Sequence, residues 1–137
     1  MRLIYVSILL FILIPIHSFA YSDREVVEVA KTIAAEAVGK GYWGMYLVAN
    51  TIENRAKKLH ISPYDVVKQR GQYYGFTAKH RNIRYKESKG LAYLLALEIA
   101  ELQDKTNGAV FFRTKDEEVF PWCKQLTIVY NGLYFYK

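Results

Sequence analysis

Cysteine is nearly missing from this 137-residue chain: Cys123 stands alone. No internal disulfide can staple the domain, so its stability must come from a packed core. A catalytic thiol is also unsupported, because it needs a basic partner and no local motif supplies one. Histidine is scarce as well. Of the three, His17 lies in an apolar leader, while His60 and His80 are not spaced as a metal pair, and no HExxH or related motif occurs. No metal and no other cofactor is therefore expected. Long basic stripes are lacking too; the one small cluster is Lys79-His80-Arg81 with Arg84, which argues against a nucleic-acid partner. There are no repeats, linkers or low-complexity tracts.

What is present divides at residue 20. Arg2 gives a positive start, Leu3 to Ile16 is almost wholly apolar, and Ser18-Phe19-Ala20 fits a small-x-small cleavage pattern. The reading is a secretory signal peptide over 1–20, cut before Tyr21. The apolar run is short for a spanning helix, so a cleaved leader fits better than an uncleaved anchor. The expectation is export to the periplasm or to the extracellular space and cell wall, with no membrane attachment after cleavage. The remaining 21–137 suit one domain with a modest core, expected to be a monomer. Losing Arg2 leaves eighteen Lys and Arg against thirteen Asp and Glu, a net +5 where the whole chain carries +6. A moderately basic exported domain suits an anionic polymer such as a bacterial envelope, although charge alone would attract nucleic acid equally.

Ser22-Asp23-Arg24-Glu25 is a capping-box signature and predicts a helix from Asp23 to Val38. Gly39-Lys40-Gly41 ends it, and a second helix over Trp43–Leu59 turns Leu47, Val48, Ile52 and Ala56 inward, making an αα-hairpin. Val26, Val29, Ala30, Ile33, Ala34 and Ala37 share the apolar face of the first helix. Glu36 lies at the edge of that face in the last turn. Partial desolvation and the negative end of the helix dipole both favour its protonated form, a state suited to a general acid. The alternative is a C-terminal glutamate pointing at water. Ala35 and Ala37 beside it are small enough for another element to approach.

Ser62-Pro63-Tyr64-Asp65 opens a short helix ending near Gln69. Gly71-Gln72-Tyr73-Tyr74-Gly75-Phe76-Thr77 follows, a glycine-flexed aromatic loop of a kind that lines sugar sites, or else an aromatic plug of the core. Lys86 to Lys105 is predicted to be the longest helix, central to the core, with Leu91, Leu94, Leu95, Leu97, Ile99 and Leu102 nearly all round it, closed by Asn107-Gly108. The tail turns β-branched and aromatic over 109–113, 126–130 and 133–136, with Asn131-Gly132 as a two-residue hairpin signal.

In order and spacing, Ala30-Lys31-Thr32-Ile33-Ala34-Ala35-Glu36-Ala37, Gly39, Val48-Ala49-Asn50-Thr51-Ile52, Asn54-Arg55, Gly71-Gln72-Tyr73, Gly108-Ala109-Val110-Phe111-Phe112 and Pro121-Trp122 resemble the SleB-type cell wall hydrolases, the family of the spore cortex-lytic enzymes. The resemblance covers nearly all of 21–137. It implies an α+β, mainly α, lysozyme-like single domain with a C-terminal β-hairpin or small sheet, and a lytic transglycosylase of peptidoglycan whose single catalytic glutamate maps onto Glu36. It departs from the family pattern in two places. Leu133 or Tyr134 stands where the closing strand usually carries a histidine, and Tyr73-Tyr74 where many members have Phe-Ser.

Most glycosidases need a second carboxylate, and nothing here marks one. Asp65, Glu53, Asp116, Glu117 and Glu118 read as caps, helix surface or turn. A lytic transglycosylase removes the need, since the C6 hydroxyl of the same muramic acid ring attacks and proximity replaces base and water. Gln72 and Tyr73 are the candidates for bonding and stacking on the sugar, with Phe76 and Trp122 as further candidates for the groove wall; core packing is the alternative for each aromatic. Asn54 and Arg55 read as partners holding the second helix against the first. The rival functions are an N-acetylmuramoyl-L-alanine amidase, for which neither zinc ligands nor a nucleophile is evident, and a non-catalytic peptidoglycan-binding protein.

Overall fold

The computed structural model describes residues 22–137, so the leader assigned to 1–20 lies outside it. The capping box forms as expected. The Glu25 amide donates to the Ser22 hydroxyl at 3.3 Å and the Ser22 amide to the Glu25 carboxylate at 2.9 Å, opening α1 over Asp23–Glu36. The helix stops two residues earlier than its sequence pattern suggests, at Glu36, because Ala37 leaves helical geometry and Gly39 takes a left-handed φ of 71°. α2 then runs over Gly41–Leu59, and its Leu47, Val48, Ile52 and Ala56 are buried as expected. Ser62 caps α3, Pro63–Val67, by accepting from the Asp65 amide at 3.0 Å. One turn of 3₁₀ helix, Tyr74–Phe76, lies within the following loop.

The long helix expected over 86–105 is not formed. The segment breaks into α4, Arg81–Glu87, and α5, Leu91–Leu97, with a 3₁₀ turn at Ile99–Glu101. The break falls where Lys89 and Gly90 adopt φ of 50° and 85°, conformations no α-helix tolerates. The leucine-rich pattern also misleads about the core. Leu91, Leu94 and Leu97 are exposed, while Ala92, Leu95, Ala96 and Ile99 form the buried side. α5 lies against α1, and alanines on both helices permit close approach. Among the described residues the longest helix is therefore α2, of 19 residues. No helix among the described residues is long and apolar enough to cross a membrane.

The tail forms a three-stranded antiparallel sheet, β1 Phe111–Thr114, β2 Leu126–Tyr130 and β3 Leu133–Tyr136, in the order β1-β3-β2. Asn131 and Gly132 turn the β2–β3 hairpin with φ of 44° and 77°, both left-handed as a primed turn demands. Leu133 and Phe135 on β3 join Val29, Ile33, Val48, Ile52, Val66 and Ile99 in one core. The architecture is thus α+β and mainly helical, with the sheet at the C-terminal end of the chain. The ammonium of Lys40, in the α1–α2 turn, donates to the Asn131 carbonyl, and the Lys115 amide donates to the Gly132 carbonyl at 3.1 Å. These two bonds draw the turn after Glu36, the hairpin tip and the start of the β1–β2 loop together.

Candidate active site

Glu36 is the final residue of α1, and its surroundings follow from small neighbours. Gly75 comes so close to the end of α1 that a Cβ there would lie 2.8 Å from the Thr32 carbonyl oxygen, 3.0 Å from Glu36 Cγ and 3.1 Å from Ala35 Cβ. Only glycine meeting alanine allows the 3₁₀ turn to settle there. The Gly75 amide then donates to Glu36 Oε1 at 2.6 Å. Burial is the largest influence on this carboxyl, whose pKa stands raised to about 7. Within that net shift the Gly75 amide acts to lower the pKa and the Glu117 carboxylate to raise it. At neutral pH the group can give up or accept a proton with almost equal ease.

Glu117, read as a turn residue, does close a turn: the Thr114 amide donates to its Oε2 at 2.8 Å. It also acts electrostatically on Glu36 from the β1–β2 loop. The Asp65 carboxylate, in the first turn of α3, accepts from the capping Ser62 hydroxyl at 3.0 Å and pairs with Lys68 at 3.0 Å. Glu53 departs from its reading as helix surface. It is 8 % exposed, burial raises its pKa, and Lys57 pairs with it at 3.4 Å.

Two clefts flank the 72–76 segment. The first, of about 110 Å³, is lined by Gln72 and Tyr73 on one side and by Phe111, Phe120 and Trp122 from β1 and the β1–β2 loop on another, with Arg55 and Cys123 also at its walls. Phe120 and Trp122 stack face to face, centroids 4.8 Å apart, and both are exposed by more than two fifths. The second cleft, of about 410 Å³, is lined by Tyr73, Tyr74, Phe76 and residues 67–71. Gln72, Tyr73 and Trp122 thus meet in one cleft, whereas Phe76 lines the other. Glu36 lines neither; its link to them is the Gly75 amide, which belongs to the 72–76 segment that the clefts flank. Tyr73 lines both clefts and is only 6 % exposed, with its ring 6.1 Å from that of Phe112. Burial pushes its phenol well above the ordinary range, the Arg55 guanidinium opposes this, and the Glu36 carboxylate adds to it. The phenol therefore keeps its proton and can donate. Among the described residues no three His, Cys, Asp or Glu side chains gather as metal ligands.

Asn54 and Arg55 do not hold α2 against α1. The Asn54 amide donates to Thr106 Oγ1 at 3.2 Å and to the Ala109 carbonyl at 3.0 Å, tying α2 to the turn before β1. Arg55 donates from Nε to Gln69 at 2.8 Å and lies 4.6 Å over the Phe111 ring. Sequence reasoning missed Arg55, Phe111 and Phe120 as cleft walls. The Phe120-x-Trp122 spacing was the available signal for one of them.

A small three-stranded sheet set beside a helical body defines the class of fold. Two solved structures share it: the catalytic domain of the germination-specific lytic transglycosylase SleB of Bacillus anthracis, 20% identical with a TM-score of 0.69 over 88% of this chain and 99% of that one, and the catalytic domain of SleB of Bacillus cereus, 18% identical with a TM-score of 0.69 over 88% and 94%. A search of curated proteins returned no match. The family model described as Cell Wall Hydrolase matches residues 39–136, and the chain belongs to that family. That match begins just past Glu36.

Proposed function

We propose that this cell wall hydrolase is a lytic transglycosylase that cleaves the MurNAc–GlcNAc backbone of peptidoglycan, with Glu36 as its only acid and base. The observation that carries the reading is the position of Glu36: burial raises its pKa to about 7, while a single backbone amide orients it at 2.6 Å. In its protonated form Glu36 gives its proton to the glycosidic oxygen as the C1–O bond breaks. The C6 hydroxyl of the same muramic acid then attacks C1 and returns a proton to the Glu36 carboxylate. The product is a 1,6-anhydro sugar, and the enzyme is regenerated. A carboxyl near 7 serves both half-steps, since neither protonation state is costly to reach.

Gln72 and Tyr73 bond the sugar beside the cut in this reading, and Trp122 offers an exposed ring face to another. Phe76, in the second cleft, lies on the far side of Tyr73 and holds the loop or extends the groove. The substrate lies outside the cytoplasm, which accords with a leader at 1–20. An amidase would need a zinc set or an activated nucleophile; among the described residues no three metal-ligating side chains gather, and the sequence marks no nucleophile with a basic partner. The test is Glu36→Gln, assayed on purified sacculi. Loss of clearing with an unchanged circular dichroism spectrum is expected; clearing at the wild-type rate overturns the assignment.

A further inference from the structure

Arg55 stands in the first cleft with its charge unanswered. Its Nε is fixed to Gln69 at 2.8 Å and its face rests 4.6 Å over Phe111, so position and plane are both set. Its two terminal nitrogens have no hydrogen-bond or carboxylate partner among the described residues, and neither is sealed away from solvent. Arg81 and Arg84 illustrate the contrast, since each meets a glutamate, at 2.7 and 2.9 Å. A part-buried cation without a counter-ion costs free energy that an entering anion would restore. The open edge of a guanidinium matches a carboxylate, which it can bind through two parallel hydrogen bonds. Gln72 and Tyr73 line the same cleft as Arg55, and the Tyr73 hydroxyl, protonated and without a hydrogen bond among the described residues, feels the charges of both Arg55 and Glu36.

We propose that Arg55, helped by Gln72 and the Tyr73 hydroxyl, forms a carboxylate-binding subsite that fixes the glycan strand relative to Glu36 by an acidic group the strand carries. The inference rests on the peptidoglycan reading above and adds the group by which the strand is held. On such a strand the carboxylate comes either from a muramic lactyl group that bears no peptide or from a stem peptide. Arg55 is a binding residue here, so its loss acts on KM more than on kcat.

The experiment compares kcat/KM of the wild type, Arg55→Gln and Glu36→Gln on two substrates: intact sacculi, and glycan strands stripped of peptide by an amidase. Each substrate is used before and after carbodiimide amidation of its carboxylates. The wild type should lose ten- to hundredfold in kcat/KM on amidation, mostly through KM, the range a charge-assisted hydrogen bond is worth. Stripped strands show this loss if the lactyl group is the ligand, intact sacculi if the stem peptide is. Arg55→Gln should be equally slow on amidated and unamidated material. A wild type indifferent to amidation on both substrates overturns the subsite without needing any variant to fold. So does an Arg55→Gln enzyme that keeps the preference. Cleavage by Glu36→Gln would instead strike the underlying reading, which keeps the two failures apart.

Discussion

Replacing Glu36 by glutamine should stabilise the protein above pH 7 and leave it unchanged below pH 4. The carboxyl is raised from 4.5 to about 7, and at about 1.4 kcal/mol per pH unit that corresponds to about 3 kcal/mol. The sign follows from proton binding. Below pH 4.5 the carboxyl is protonated in both folded and unfolded chains and favours neither. Between 4.5 and 7 the folded chain holds the proton more tightly, so stability falls as pH rises through this window and stays lower above it. Glutamine carries no charge at any pH and its oxygen can still accept from the Gly75 amide, so the variant escapes the loss. For a domain of this size 1 kcal/mol moves Tm by roughly 3–5 °C. Thermal denaturation should therefore place Glu36→Gln on the order of 10 °C above the wild type at pH 8, with the two coinciding at pH 4. A gap that stays constant across pH, or no gap at pH 8, means the carboxyl is well solvated, and the argument for its role as an acid falls with it. Stabilisation on loss of a functional group is the expected signature of a site held against its own solvation.

Gly75→Ala should push the 3₁₀ turn off α1, since its Cβ would lie 2.8 Å from the Thr32 carbonyl oxygen; a loss of about 1–3 kcal/mol in denaturant unfolding and a fall in activity are expected. Glu117→Gln removes a charge that raises the Glu36 pKa, so the basic limb of the kcat/KM profile should move to lower pH; a limb that stays put dissociates Glu117 from the site. If the sugar stacks on the exposed Trp122 ring as proposed, Trp122→Ala should raise KM several-fold with kcat nearly kept, since an indole offers surface and no proton; an unchanged KM removes it from the groove. Asn54→Ala leaves the fully buried Ala109 carbonyl without its side-chain donor, and a cost of about 2 kcal/mol is expected by chemical denaturation, with the pH profile unmoved.

Local chemistry was what the sequence disclosed best. The capping box, the Ser62-Pro63 start and the Asn131-Gly132 turn are each determined within four residues, and all three form where expected. Periodicity did less well. In 86–105 an all-round leucine pattern resembled a central helix, but Lys89-Gly90 breaks it and three leucines face outward. A pattern reports which residues are apolar; which face is buried depends on the partner, here α1 with its alanines. The site divides along the same line. The raised proton affinity of Glu36 was legible because one cause, its place at an apolar helix edge, is local; its choice over a glutamate facing water came from the family resemblance. Its amide donor Gly75, 39 residues away, was visible only as a glycine in an aromatic loop. Arg55 was misassigned because a guanidinium on an amphipathic helix looks alike whether its partner is another helix, a phenylalanine ring or an empty cleft. Glu117 is an ordinary turn acid in sequence, and only the sheet brings its charge to bear on Glu36.

The most direct test of the central claim is mass spectrometry of the muropeptides released from purified sacculi by the wild-type enzyme. Lytic transglycosylation by a lone Glu36 predicts 1,6-anhydromuramic ends, one water lighter than the reducing sugars. Reducing muramic ends would show that water, not the C6 hydroxyl, attacks C1. Free stem peptides on uncut glycan would show that the bond broken is an amide, and either result contradicts the account.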